Sequence, residues 1–385
     1  MTDPAETTPV ALSTLQTPCL ILDETRMNRN IARLTERLAT AGVGFRPHLK
    51  TPKSIDVARR VMPRPTGPAT VSTLREAEQF FDHGVRDITY AVGIAPDKLA
   101  RVQKLRADGA NITIVIDNID QARAIAALSD PTNPIPVLIE IDCDGHRSGV
   151  KPDDAALLCA IADILVPNSH LAGVLTHAGE SYSAKSIADL EAAAEQERVA
   201  AVLAATILRG AGHACEVVSV GSSPTAHFAK SYDGVTEVRA GVFVFFDLFQ
   251  AGINVCRIDD IALSVLTTVI GHQREKGWII VDAGWMAMSR DRGTAGQAVD
   301  QGYGIACTLD GTPMDDLIMV GANQEHGILA IRPGADARLP DLAVGSKLRI
   351  LPNHACATAA QHGAYHVCRS GEDFTHTTWS RFAGW

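Results

Sequence analysis

Arg46-Pro47-His48-Leu49-Lys50-Thr51-Pro52-Lys53 decides the reading of this chain, because it places a lysine where the apolar run Val43-Gly44-Phe45 ends and helix-forming sequence begins. If that run is the first strand of a parallel barrel, Lys50 stands at the carboxyl end, the face on which barrel enzymes keep their chemistry. A lysine held there against apolar walls and near other cations loses its proton more easily and can attack a carbonyl carbon. The plainer alternative, from this stretch alone, is that Lys50 and Lys53 are solvated loop lysines.

Working outward, apolar runs and helix-forming stretches alternate. Strands are predicted near 17–23, 43–45, 69–73, 87–92, 111–117, 135–142, 171–177, 216–220 and 236–240, and helices near 24–40, 74–83, 96–108, 118–128, 153–165 and 186–212. Strict alternation implies a parallel sheet, and the eight strands from 43 onward close as a (β/α)8 TIM barrel. A doubly wound open sheet calls for a topological switch point and usually a Gly-rich first turn, and neither is visible. After about Asp247 the pattern changes. Runs at 262–270, 277–282, 317–320, 327–331 and 347–351 are β-like with turns between them, which predicts a second, mostly β domain.

The composition is that of an ordinary globular protein, 46% hydrophobic and 21% charged over 385 residues, enough for two cores. A net charge of -9 without a basic cluster argues against a nucleic-acid partner. Residues 1–16 lack the charged-then-apolar plan of a signal peptide and no segment suits a bilayer span, so no membrane partner and a cytoplasmic location are expected. Eight cysteines without CxxC spacing fit reduced thiols rather than a disulfide framework.

Several short motifs are candidate sites, and each has a dull alternative. Gly221-Ser222-Ser223-Pro224-Thr225 follows the seventh barrel strand, where barrels commonly hold a phosphate on small residues and hydroxyls; a flexible turn is the alternative. Arg239-Ala240-Gly241-Val242 follows the eighth, with a glycine for close backbone approach and an arginine that either touches a cofactor or pairs with a carboxylate. The fifth strand ends in the polar cluster 140–149, which includes Arg147 and is otherwise a solvated loop. His177 closes the sixth strand within the run 176–182, ahead of Tyr182, as an acid, a base or a cofactor contact. His326 is a similar candidate in the β domain. His354-Ala355-Cys356 follows a strand-like run, and alternation in an extended segment would turn imidazole and thiol to one side, toward a metal. Taken singly, an HxC is more often a core cysteine beside a surface histidine.

Together, RPHLKTPK at 46–53, HRSG at 146–149, THAGESY at 176–182, GSSPT at 221–225, EVRAG at 237–241, DAGWMAMSRDRG at 282–293, NQEHG at 323–327 and PNHAC at 352–356 are similar, in order and over nearly the whole chain, to the fold-type III pyridoxal-phosphate enzymes. The resemblance is to their D-serine dehydratase and D-threonine aldolase branch, related to alanine racemase. It implies an alanine racemase-like α/β fold, with a barrel over 24–247 and a β domain formed by 1–23 plus 248–385, in a homodimer. It implies pyridoxal 5'-phosphate on Lys50 as Schiff-base lysine, with Arg147 at the cofactor phenolate. Gly221, Ser222, Ser223, Thr225 and the Gly241-Val242 backbone would hold the phosphate, and Tyr182 and Arg239 would contact the cofactor. Lys50 and His177 are the expected catalytic residues, and His354 and Cys356 the ligands of a divalent metal, Mg, Mn or Zn. The implied substrate is a small β-hydroxy D-amino acid, 3-hydroxyaspartate foremost, dehydrated to a 2-oxo acid and ammonia. D-serine dehydration and aldol cleavage are the alternatives. Two departures stand out: Phe243 where relatives often carry a phosphate-binding tyrosine, and Pro52 where a histidine frequently follows KT.

Overall fold

The computed structural model describes residues 9–128, 130, 132–165 and 169–385; residues 1–8, which the expected β domain includes, lie outside the described residues. The chain divides into two compact units. One is Arg33–Gly241 with Gly384–Trp385; the other is Val242–Ala383 with the described residues up to Ala32. The division falls inside the helix Glu24–Thr40 rather than at its start. The reason lies in its first half, where Arg26 and Asn30 donate to the backbone carbonyls of Ile261 (3.1 Å) and Asp260 (2.8 Å). Its apolar stripe Met27, Ile31, Leu34 and Leu38 is buried, as the helical spacing requires.

The first unit holds an eight-stranded parallel sheet. Its strands in chain order are Gly44–Phe45, Ala69–Val71, Asp87–Gly93, Asn111–Ile116, Pro136–Ile141, His170–Thr176, Val217–Val220 and Glu237–Val238. Each neighbours its predecessor in space, except that the first pairs with the eighth. A parallel bridge between His48 and Thr70 joins the first to the second and closes the ring. The strands are predominantly buried, and residues such as Ile112, Ile114, Val137, Ile139 and Val174 are inaccessible to solvent, which is why they read as apolar runs rather than alternating ones. Helices separate them, from Ile55–Val61 through the long Ile187–Gly210 to the short Ser223–Phe228.

The short first strand is held by charge as well as by its ladder. Arg46 donates from Nε to Glu237 (2.8 Å), on the eighth strand, and from Nη1 to Asp87 (2.7 Å), on the third. Burial opposes the guanidinium charge, but the two carboxylates outweigh it and raise its pKa.

The second unit is built on a nine-stranded, mostly antiparallel sheet. Trp278–Val281, Gly327–Ile331, Pro313–Ala322, Gly304–Cys307, Lys347–Pro352 and Leu263–Gln273 follow one another, and the last pairs back to the first, so this part closes into a barrel. Cys19–Asp23 pairs antiparallel with Leu263–Gln273 and parallel with Ala364–Cys368, which extends the sheet to Thr377–Ser380. The sequence reading has no strand at Gly304–Cys307 or beyond Lys347–Pro352.

Replacing Arg46 by Met is expected to lower the stability of the first unit by about 2 kcal/mol, below the full cost of breaking a buried pair because the carboxylates are partly solvated. Urea unfolding followed by circular dichroism measures it; a midpoint equal to wild type would show that the ladder alone holds the first strand.

Candidate active site

Lys50 lies in the turn after the His48–Thr70 bridge, at the carboxyl end of the first barrel strand. It does not lie against apolar walls, as the sequence reading expects. Lys50 is exposed because Leu49 is fully buried and takes the inward place. The expected cationic surroundings are present. Lys50, Arg239 and Arg147 all act on His177, and Lys50 and Arg239 act on His48. His48 is a site residue that the sequence reading quotes but does not single out, and its position two residues before the lysine is the signal for it.

Both histidines are held neutral. Burial, reinforced by the cations, pushes His177 down to about 3 against the opposing hydrogen bond from its ring to Gly221. Burial, Lys50 and Arg239 hold His48 well below the usual imidazole range. His177 Nδ1 lies 2.9 Å from the Gly221 carbonyl, which assigns the proton to Nδ1 and leaves Nε2 an acceptor. The Tyr182 ring, in the turn Gly179–Ser183, is tilted 44° to the His177 ring at 6.2 Å.

The loops after the sixth and seventh strands are joined by Glu197, from the middle of Ile187–Gly210. One carboxylate oxygen accepts the Ala178 and Gly221 amides, each at 2.9 Å. Burial raises its pKa against the hydrogen bond from Thr225 and the nearby Arg239 charge. Ser222 caps the helix Ser223–Phe228 in a capping box with Thr225, and the Ser181 and Ser222 hydroxyls are 3.0 Å apart. The amides of Gly221, Ser222 and Thr225 are thus occupied within the protein. The Ser222 and Thr225 hydroxyls are engaged as well, with each other, with Ser181 and with Glu197. Gly221 has φ +142, and a Cβ there would lie 1.9 Å from the Arg239 carbonyl oxygen. At Gly241 it would lie 3.1 Å from the His48 carbonyl oxygen and 3.2 Å from Thr51 Oγ1. Gly221 therefore excludes a side chain, whereas at Gly241 the backbones pass in tight contact.

Arg239 is buried and donates from Nη1 to Ser219 Oγ (3.0 Å) and from Nη2 to the Thr176 carbonyl. Arg147 is mostly exposed and reaches Glu140 at 3.3 Å, in a pocket that His177 also lines. Together with Lys50 these cations give the carboxyl end of the ring a positive field, which fits an anionic, aldehyde-bearing cofactor such as pyridoxal phosphate.

In the second unit, Val242 begins a buried turn, Val242–Val244, in which Phe243 is fully buried. His354 is not in a strand: it is the N-cap of the short helix Ala355–Ala359, with Cys356 one residue inside it. The two still meet, because the cap residue is extended and the helix turns the thiol back to the ring, where His354 and Cys356 hydrogen-bond. His354 Nδ1 is 2.6 Å from Asp291 Oδ2. Burial opposes charge on this imidazole, but Asp291 and Cys356 outweigh it and raise its pKa to about 11. Buried Asp247 accepts the Ala355 and Gln250 amides at 2.8 and 2.9 Å and so fixes the start of the helix. Among the described residues no group of three His, Cys, Asp or Glu is arranged to hold a metal. Imidazole and thiol side by side, the imidazole oriented by a carboxylate behind it, are donors that could hold a metal. The sequence reading misses Asp291. His326 lies exposed in the turn 323–326, where the Asn323 amide donates to its carbonyl at 2.8 Å.

Fold and site together define a class, a pyridoxal-phosphate enzyme built like alanine racemase. The comparisons place the chain in it. The family model "Alanine racemase, N-terminal domain" matches residues 22–248, and "Putative serine dehydratase domain" matches 262–368. The chain belongs to the fold-type III pyridoxal-phosphate family of alanine racemase-like enzymes, in which its relatives are lyases acting on D-amino acids. It is 53% identical over 381 residues to the D-threo-3-hydroxyaspartate dehydratase of Delftia sp. (strain HT23), covering 97% of this chain and 99% of that one. The solved structure of that dehydratase superposes with a TM-score of 0.93 at 52% identity, covering 98% of this chain and all of that one. A cysteine-to-alanine mutant of D-threo-3-hydroxyaspartate dehydratase, solved in a metal-free form, gives the same score and identity over 97% of this chain and 100% of that one.

In cofactor-free protein the His177 ring is expected to show no protonation in NMR until the pH approaches 3 to 4. Its depressed pKa makes the unfolded state bind the extra proton first, so this residue's contribution to stability falls as pH drops from about 6.5 toward 3. His177→Asn should flatten that part of the acid limb. A ring titrating near 6.5 would contradict the neutral assignment.

Proposed function

We propose that the chain is a dehydratase that converts a β-hydroxy D-amino acid, D-threo-3-hydroxyaspartate before D-serine, into a 2-oxo acid and ammonia. The observation that carries this reading is the His354–Cys356 pair backed by Asp291, in a chain 53% identical to an enzyme of that name. In this reading residues 24–247 bind pyridoxal phosphate, and residues 1–23 with 248–385 carry the metal site. When bound, pyridoxal phosphate supplies an electron sink at Cα and a divalent metal supplies a Lewis acid for the β-hydroxyl oxygen.

The remaining work falls to the chain's own groups. Lys50 Nζ would hold the cofactor through its aldehyde carbon and would take the α-proton of the substrate. Arg147 faces the phenolate. The Gly221–Thr225 loop, with the Gly241 and Val242 backbone, would hold the phosphate. Arg239, fixed by Ser219 and Thr176, would supply positive charge to the bound cofactor. Neutral His177 can accept a proton or hydrogen bond at Nε2 and packs beside Tyr182; it is no proton donor at Nε2. His354, with its Nδ1 side on Asp291, would offer Nε2 to the metal, and Cys356 would offer its sulfur. Imidazole with thiolate favours zinc over magnesium or manganese. The net change balances: 3-hydroxyaspartate becomes oxaloacetate plus ammonia, because the water lost on elimination returns on hydrolysis.

A homodimer in the cytoplasm completes the reading. It is supported by the family and by eight cysteines none of which is in a disulfide, while no helix among the described residues is long and apolar enough to cross a membrane.

Purified enzyme with pyridoxal phosphate and Zn, Mn or Mg, given D-threo-3-hydroxyaspartate, is expected to release oxaloacetate and ammonia in equal amounts. Chelation should abolish the reaction, and Lys50→Ala should slow it by about 100- to 10,000-fold. Glycine and glyoxylate without ammonia would make it an aldolase; faster pyruvate formation from D-serine would make it a D-serine dehydratase.

A further inference from the structure

In the segment 289–294, two arginines flank Asp291, the residue that orients His354, and they differ in how their charges are met. Arg292 is neutralised: Nη2 lies 2.6 Å from Asp300 Oδ2, with the guanidinium over the Tyr303 ring at 5.3 Å. Arg290 stands over the Trp285 ring, also at 5.3 Å, and among the described residues it has no carboxylate partner.

The backbone that carries Arg290 is closely determined. Ser289 has φ +75, an uncommon conformation for a side-chain-bearing residue, and is fixed there by its amide on the Trp285 carbonyl (2.8 Å) and its hydroxyl on the Asp291 amide (3.1 Å). Asp291 spends one oxygen on the Gly293 amide (2.9 Å) and the other on His354. Thr294 bonds Asn353 from both amide and hydroxyl, at 3.0 and 2.7 Å. The Trp285 and Met286 amides are held by the carbonyls of Asn323 and Gln324. The backbone of Arg290 is therefore tied to His354 through its neighbour Asp291, and its exposed guanidinium stands over the indole.

The chemistry of the substrate says which acceptor. In 3-hydroxyaspartate the second carboxylate sits on Cβ, the carbon that also bears the departing hydroxyl. Whatever reads that carboxylate must stand beside the groups that receive the hydroxyl. Asp291 and Asp247 already place carboxylates about His354, so an additional anion needs a cation of its own. We propose that Arg290 is the specificity residue of this enzyme, binding the β-carboxylate of dicarboxylic β-hydroxy amino acids, and that Arg292 instead holds the loop through Asp300. This inference rests on the dehydratase reading above.

The test compares Arg290→Gln, Arg290→Lys and Arg292→Gln with the wild-type holoenzyme. Arg290→Gln should raise KM for D-threo-3-hydroxyaspartate by about 10- to 100-fold, the loss of one charge-assisted contact, with D-serine turnover unchanged within about twofold. Arg290→Lys should recover part of the loss, and Arg292→Gln should keep the wild-type ratio of the two substrates. A second readout needs no turnover: the Kd of D-aspartate against D-alanine, from the change in cofactor absorbance. Arg290→Gln should erase the wild-type preference for D-aspartate. Equal losses for both substrates, or loss of the preference in Arg292→Gln instead, would overturn the assignment. If wild-type enzyme made no oxaloacetate the dehydratase reading would fail, and the D-aspartate to D-alanine ratio would still decide whether Arg290 reads a side-chain carboxylate.

Discussion

The barrel site depends on one buried carboxylate. Taking a carboxylate out of water costs several kcal/mol unless hydrogen bonds and a counter-charge replace the solvent. Glu197 has both: the Ala178 and Gly221 amides, the Thr225 hydroxyl, and Arg239 within Coulombic reach. Each of these partners begins or flanks a functional loop, so the group that must be satisfied also sets where those loops lie. Gly221 passes so close to the Arg239 backbone that a side chain is excluded, and its carbonyl fixes the His177 tautomer. Removing the carboxylate would free two amides and release Arg239 from a countercharge at once, which is why the interaction is better regarded as the frame of the site than as one contact among several.

A second consequence is electrostatic. The chain as a whole carries -9, yet Lys50, Arg147 and Arg239 gather at one end of the barrel and keep His177, and the first and last of them His48, uncharged. Arg147 is met by Glu140 and Arg239 by Glu197, so Lys50 beside two neutral imidazoles is the cation left for a ligand's negative charge. A phosphate and a phenolate are suited to it, whereas a cationic ligand is not.

Much of this was legible in the sequence. The eight barrel strands are visible because strands covered on both faces are apolar throughout, and the helix Glu24–Thr40 because its buried stripe recurs every three or four residues. Gly304–Cys307 and Ala364–Cys368 escaped because runs of four or five residues between turns carry too little periodicity. The geometry at His354 was misjudged because the strand ends at Pro352 and a helix, not a strand, carries the thiol. Lys50 is exposed because Leu49 fills the apolar place beside it. Glu197 was hidden in a run of ordinary helix-surface composition. A signal was present nonetheless, since Leu190, Ala194, Glu197, Ala201, Ala204 and Leu208 form one buried stripe, and a glutamate on such a stripe must have partners.

The proposed metal site makes the opposite use of the same physics. Two protein donors bind an ion less firmly than four, so the arrangement works only if neither donor has to be ordered when the ion arrives. Asp247, buried, caps both the helix Leu248–Gly252 and the amide that follows His354; Asp291 fixes the imidazole; Thr358, two residues beyond Cys356, donates to the Met288 carbonyl at 2.6 Å. The two donors are thereby held by groups that would not themselves be ligands. A metal held there would serve as a Lewis acid, and the rigid support means that binding it would cost little ordering of its two donors.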